Sequence, residues 1–178
     1  MLLAWEVDMP AEWYKEQPSN RNYLSPVGFQ FYLEHFQGVD FFCQSANIPD
    51  ISMSVATLGS KFRNVPVPGS GGVEYGDLQI TFLIDEDFTN YMSIQNWIRK
   101  FGLSEGHSDA PDRMSRGLIK VLTSNFNGNF YVNFEDLFPI SLTGVQYDAS
   151  LTNIEYLTAT ATFKFTRYRI QNESGTDL

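Results

Sequence analysis

The stretch Glu155–Ile170, EYLTATATFKFTRYRI, decides how this chain is read. Leu157, Ala159, Ala161, Phe163 and Phe165 fall on one side of it, and Thr158, Thr160, Thr162, Lys164 and Thr166 on the other. Successive side chains of a strand point to opposite faces, so the pattern predicts a long strand with one apolar face and one wet face. Kept extended at about 3.3 Å per residue, such a strand reaches roughly 50 Å. An ordinary strand has roughly 5–6 residues. The length points to a sheet that continues beyond one small domain, and so toward assembly rather than catalysis.

The composition agrees with strands. The chain has 178 residues, 43% of them hydrophobic and 15% aromatic. That is enough for one domain with a real core, and aromatic and Thr enrichment favours strands. Lys and Arg number 12 against 21 Asp and Glu, a formal charge of −9. An acidic chain is poorly suited to clamping a phosphate backbone, although it can face one as a repelling wall. Cys43 is the only cysteine, which excludes an intrachain disulfide and a Cys-based zinc site. It reads as a small buried thiol. No apolar run approaches the ~20 residues that cross a bilayer, and Met1–Glu6 lacks the basic start of a secretory signal. The expectation is a soluble protein of a reducing compartment, or one released with it.

The rest of the chain divides into an arm over 1–25, one β domain over 26–171 and a polar, frayed tail over 172–178. The arm holds Trp5, Trp13, Tyr14 and Tyr23, with a short helical turn near Ala11–Glu16. Its aromatics need something to dock against. Phe29, Phe31 and Leu33 alternate with polar residues, Gln37-Gly38 reads as a tight turn, and Val39–Ala46 as the returning strand. Asn47-Ile48-Pro49-Asp50 is turn chemistry, and Ile51, Met53 and Val55 resume the alternation. Phe62–Gly76 carries two prolines and four glycines and is expected to be a long loop. Asp77–Ile84 reads as a strand.

One amphipathic helix is clear. Asp85-Glu86-Asp87 offers caps, and Phe88, Tyr91, Ile94, Trp97, Ile98 and Phe101 form a stripe that would lie on a sheet. Arg99, Lys100 and Gly102 close it. Residues 104–116 read as a surface loop. Leu118–Thr123 and Gly128–Phe134 are strands joined by Asn125-Phe126-Asn127-Gly128, whose Asn-Gly step signals a hairpin. Leu137–Tyr147 is a further strand. About seven or eight antiparallel strands and one helix make a β-sandwich or rolled barrel with the helix on one side.

Catalytic chemistry is missing from this pattern. His35 and His107 have no companions at metal-ligand spacing. The three consecutive acids lack the twelve-residue calcium loop. Gly69-Ser70-Gly71-Gly72 lacks the Lys-Ser/Thr pair of a phosphate loop, and no Gly-x-Ser-x-Gly elbow occurs. No catalytic residue, metal or cofactor is expected.

The order of elements resembles the tail tube proteins of contractile-tailed bacteriophages. The likeness rests on Gly28–Pro49 with its Ser45-Ala46-Asn47-Ile48-Pro49, on Leu78–Phe101 with Asp85-Glu86-Asp87-Phe88 and Asn96-Trp97-Ile98, and on Pro139–Phe165. It implies a β-sandwich with a flanking helix and rings of six copies whose inner sheets join into one barrel. The rings would stack into a sheathed tube, assembled in the host cytoplasm, that carries DNA through its lumen. Its partners would be itself, sheath and baseplate proteins, and DNA passing without specific binding. Within that picture the loop residues Val65, Val67, Val73 and Tyr75 are candidates for the contact between rings, and Trp5 and Trp13 for arm contacts. The wet face of Thr158, Thr160, Thr162 and Lys164 is a candidate lining of the channel, which an acidic balance would keep slippery for DNA. Three other readings stay open: a baseplate protein of the same fold that starts the tube, a monomeric sandwich binding a ligand such as a carbohydrate, and a hydrolase using Asp85 or Asp87.

Overall fold

The computed structural model describes residues 22–34, 39, 42–59, 61–102, 114–150 and 156–178. Trp5, Trp13 and Tyr14, the turn expected near Ala11–Glu16, Gln37-Gly38, His35, His107 and most of 104–116 lie outside the described residues. In chain order the elements are β1 (Phe29–Leu33), β2 (Cys43–Ala46), β3 (Ile51–Gly59), β4 (Asn64–Tyr75), β5 (Leu78–Leu83), α1 (Thr89–Gly102), β6 (Ser115–Leu122), β7 (Gly128–Leu142), β8 (Thr158–Lys164) and β9 (Arg167–Asn172).

The fold is mostly antiparallel β with a flanking helix. One path of strands runs β1-β6-β7-β8-β5-β2, with β9 also on β7, while β3 and β4 form a separate two-stranded sheet. β7 is shared by two layers. Its first half carries β6 and β9, and its second half carries β8. Phe31, Leu33, Ile119, Val132 and Phe134 of one layer meet Leu78, Ile80, Phe82, Ala161 and Phe163 of the other in a single core. Each fully buried Phe or Leu contributes about 1.5–3 kcal/mol from removed apolar surface.

The strand expected over Glu155–Ile170 is interrupted at Phe165-Thr166, yet its register is not lost. Phe134 stands opposite Tyr168 on one side of the break, and Phe138 opposite Lys164 on the other. Both strands advance by four residues between those pairs, so β8 and β9 are one ladder along β7, bent where β7 bends. Thr166 N–H bridges the corner to Glu135 O at 3.0 Å, and Asp136 takes φ 57°. The inward parity of both strands shifts there: Val132 and Phe134 give way to Leu137 and Pro139, and Phe163 and Phe165 to Tyr168 and Ile170. A strand that passes from one layer to another must change phase if its apolar residues are to stay inside.

Other expectations are corrected. The apparent hairpin of Gly28–Ala46 is not one: β1 pairs with β6 and β2 with β5. Val39, expected to open the second strand, is helical and buried in the core. Those non-local pairings let Phe31 and Leu33 enter a two-layer core, which an isolated hairpin does not provide. Gly128–Phe134 and Leu137–Leu142 are one strand of 15 residues, and 143–147 lie beyond it. In the β6–β7 turn the left-handed residue is Phe126 (φ 60°). Its N–H closes on Thr123 O at 2.9 Å, so the turn is not centred on the Asn-Gly step. The tail over 172–178 is hydrogen-bonded back to β9. Leu178 N–H donates to Ile170 O at 3.0 Å, and Asp177 bridges Gln171.

The helix begins at Thr89, with no acid in its first turn. Asp85 caps it from outside, its Oδ2 accepting from Thr89 Oγ1 at 2.6 Å and from Asn90 N–H at 3.3 Å. Phe88 occupies the turn at φ 60°, and its carbonyl accepts the first helical bond from Met92. Ile94 and Trp97 are buried, and Tyr91, Ile98 and Phe101 are half-buried against the core. Phe88 lies on Tyr91 (4.7 Å between centroids), Trp97 on Phe163 (6.0 Å) and Phe101 on Phe138 (5.7 Å). Tyr91 Oη donates to Thr143 O at 3.0 Å.

Candidate assembly surfaces

Residues 62–76, expected to be a loop, are mostly the strand β4. Together with β3 it forms a hairpin, pairing Leu58 with Val65, Thr57 with Pro66, Val55 with Pro68 and Met53 with Val73. Proline lacks the N–H that a ladder needs, so Pro66 and Pro68 fit only where that N–H would point away from β3. Val65 and Val67 carry the ladder between them. The register slips between Met53 and Val55, which gathers Gly69–Gly72 into a bulge. A Cβ on Gly69 would stand 2.6 Å from Ser54 O, so the close approach requires glycine there.

Every residue of β3 is exposed. Ile51 is 59% exposed, Met53 54%, Val55 58%, Leu58 62% and Val73 52%. A lone two-stranded hairpin is marginally stable in water, and exposed apolar residues on both of its faces, Ile51, Met53, Val55 and Val73 on one and Leu58 and Val65 on the other, mark an interaction surface. The tip, Lys61-Phe62-Arg63, is exposed as well, with the Lys61 ammonium 5.8 Å from the Phe62 ring centre.

The root of the hairpin is rigid. Asn47 Nδ2 donates to Asp77 O at 3.0 Å and Asn47 Oδ1 accepts from Gln79 N–H at 2.6 Å, while Gly76 N–H donates to Asp50 O. Tyr75 packs on Phe165 (5.7 Å) and Tyr168 (5.3 Å). Tyr75 is therefore an anchor within the subunit, unlike exposed Val65 and Val73 or half-buried Val67. The sequence signalled Asn47 only as a turn residue. Nothing in it signalled the aromatic cluster, whose members are far apart along the chain.

The two wet faces differ. On β8, Thr158 and Lys164 are exposed and Thr160 and Thr162 half-buried. Gln79 and Thr81 of β5 extend the face, and Thr81 and Thr160 share a hydroxyl hydrogen bond of 3.0 Å. Thr143 Oγ1 accepts from Thr160 N–H at 2.9 Å. Lys164 is ion-paired with Asp77, so this face is hydroxyl-lined and close to neutral rather than acidic. The outer face of the β1-β6-β7-β9 layer is charged. Arg167 Nε lies 2.5 Å from Glu135 Oε2, and Arg169 lies 3.3 Å from Glu135 Oε1. The Arg167 hydrogen bond holds the Glu135 carboxyl below its ordinary value and pushes the Arg167 guanidinium up. A concavity of about 530 Å³ opens there between Glu34, Arg116, Asn133 and Arg169.

The strand path does not close on itself. Among the described residues, neither the outer edge of β1 nor that of β2 carries a partner strand. The edge of β9 is blunted by Asp177 and Leu178.

Among the described residues, an open two-layer β fold with unpaired borders and an uncovered hairpin is the architecture of a structural, assembly-type protein. The sequence matches the model of the phage tail tube protein family over residues 5–119, and the chain belongs to that family, one of structural tube proteins. Among curated proteins none matches it. The fold is similar to that of a chain in the cap that terminates the anti-feeding prophage tube (14% identity, 89% of this chain and 97% of that one, TM-score 0.65). It is also similar to a chain in the sheath-tube complex of the extracellular contractile injection system PVC in its extended state (14%, 85% and 93%, 0.64). A chain of the anti-feeding prophage baseplate matches at 13% identity over 88% and 97%, with a TM-score of 0.58.

Proposed function

We propose that this chain is the subunit of the tube in a contractile phage tail. Copies join side by side through the open borders at β1 and β2 into rings of six, and the rings stack into a hollow tube without catalytic activity. Pairing those borders between copies satisfies backbone groups that an isolated sheet leaves exposed. The hairpin reaches into the next ring and covers Met53, Val55, Val65 and Val73 there. The uncovered hairpin is the observation that carries this reading. The hydroxyl face of Thr158, Thr160 and Thr162 suits the lumen. Its one Lys is already neutralised, so it offers passing DNA no cation to hold a phosphate. Sheath and baseplate proteins bind the outside and the ends.

A second reading places the chain at an end of the tail. The similarity to cap and baseplate chains as well as to the sheath-tube complex supports it, since one fold suits all three positions. Electron microscopy of the purified protein at high concentration tests the proposal. Rings or tubes are expected, and discrete single subunits overturn it. Locating the subunit in assembled particles separates tube from end.

A further inference from the structure

Hairpin and acidic turn lie at opposite ends of the same strand. The hairpin root, Gly76-Asp77, leads into β5, and β5 leads out through Ile84 into Asp85-Glu86-Asp87. The tip carries Lys61 and Arg63 around Phe62, which is 91% exposed. The far end carries exposed Glu86 and Asp87. Ile84 N–H bonds Leu157 O at 2.9 Å, which brings Tyr156, itself 80% exposed, beside that turn. The element that leads into β5 is thus basic and aromatic at its tip, and the turn that leaves β5 is acidic with an aromatic beside it.

We infer that the tip of the hairpin docks on the Asp85–Asp87 turn and Tyr156 of a second copy, head to tail. This rests on the hairpin being the contact between rings and names what receives it. The occupant is a second copy because the complementary charge is on the chain itself, at the opposite end of β5 from the hairpin root. At about 3.3 Å per residue the nine residues of β3 span roughly 30 Å, a length that suits a reach to a neighbouring copy. A head-to-tail contact uses two different patches on each copy, so it does not close on two copies but repeats along an axis. Arg63 and Lys61 have aromatic as well as acidic partners on that surface, since cations stack on Tyr faces. Contacts between exposed charges are screened by salt, so stacking would be ionic-strength dependent while ring closure through backbone pairing would not.

The test reverses charges. Lys61→Glu with Arg63→Glu is expected to shorten tubes roughly tenfold or more, leaving single rings, because like charges would meet. Adding Glu86→Lys and Asp87→Lys to the same chain is expected to restore length. Raising salt from about 50 to about 500 mM should shorten wild-type tubes and leave rings intact. Tubes of wild-type length from the double variant, or no restoration in the quadruple variant, overturn the inference. Met53→Asp with Val55→Asp separates the two levels. If it blocks stacking while the tip variant does not, the hairpin contact stands and its acidic receiver is wrong. If neither hairpin variant changes tube length, the hairpin reading falls with it. Circular dichroism confirms that each variant is folded.

Discussion

Tyr75 and Tyr168 meet edge to face, with 5.3 Å between ring centres and 63° between planes. Tyr168 also touches Phe134 and Phe165. The cluster ties the root of the exposed hairpin to the corner where β7 and its partner ladder turn from one layer to the other. The hairpin thus leaves the body from a packed root.

Tyr75→Ala should loosen that root without unfolding the domain. Its ring is half-buried, so the loss is about 1–3 kcal/mol, below that of a core aromatic. Urea unfolding should report the loss, and trypsin should cut after Lys61 and Arg63 several-fold faster, on the order of 3- to 10-fold, as local opening becomes cheaper. Unchanged cleavage would show that the Tyr75 contacts do not hold the hairpin.

Gln44→Pro tests the border at β2. Gln44 is exposed at the irregularity between Cys43 and Ser45, and proline is tolerated at edges and bulges. The monomer should keep its far-ultraviolet spectrum, while analytical ultracentrifugation should show rings replaced by single subunits. Normal rings would mean that β2 is not a joining edge.

Phe126→Gly should stabilise the protein. Phe126 holds φ 60° and is 68% exposed, so glycine relieves left-handed strain at little loss of burial. The gain should be about 0.5–1 kcal/mol, read as a higher urea midpoint. A lower midpoint would reveal a packing role for the ring.

Glu135 gives the pH dependence a sign. Its carboxyl titrates below the ordinary 4.5 because of Arg167. The folded value is depressed, so the stabilisation is present above pH 4.5 and disappears as pH falls through the folded value. Asp148, held down by Ser150, contributes in the same direction. Glu135→Gln should flatten the loss of stability between about pH 5 and pH 3 relative to wild type. Identical acid profiles would contradict the pairing.

Strong periodicity was legible. The helix stripe from Tyr91 to Phe101 and the alternation from Ala159 to Phe163 bury, wholly or in part, the residues that their spacing singles out. Pairing was not legible, because strands β1 and β2 are near in sequence but each takes a partner farther along the chain through a shared core: Leu33 faces Gly117 across 84 residues, and Cys43 faces Phe82 across 39. The corner at Phe165-Thr166 shows in the sequence only as two consecutive polar residues, Thr166-Arg167, a change of phase by one residue that alternation alone does not mark as a bend. At Phe62–Gly76 prolines and glycines spoke for a loop. The register with β3 overrides them, since both prolines fall on positions whose N–H would face outward. The basic tip went unnoticed because three residues show no period. Its meaning comes from what stands at the other end of β5.

Pro66 and Pro68 also bear on the life of a copy that has not yet met its neighbours. A sticky ribbon left uncovered in a crowded cell invites stray strands to zip onto its rim and seed fibres. With the outward donors deleted at two positions of β4, that rim is a poor template. That would let a copy of the proposed tube subunit persist unpaired until it assembles.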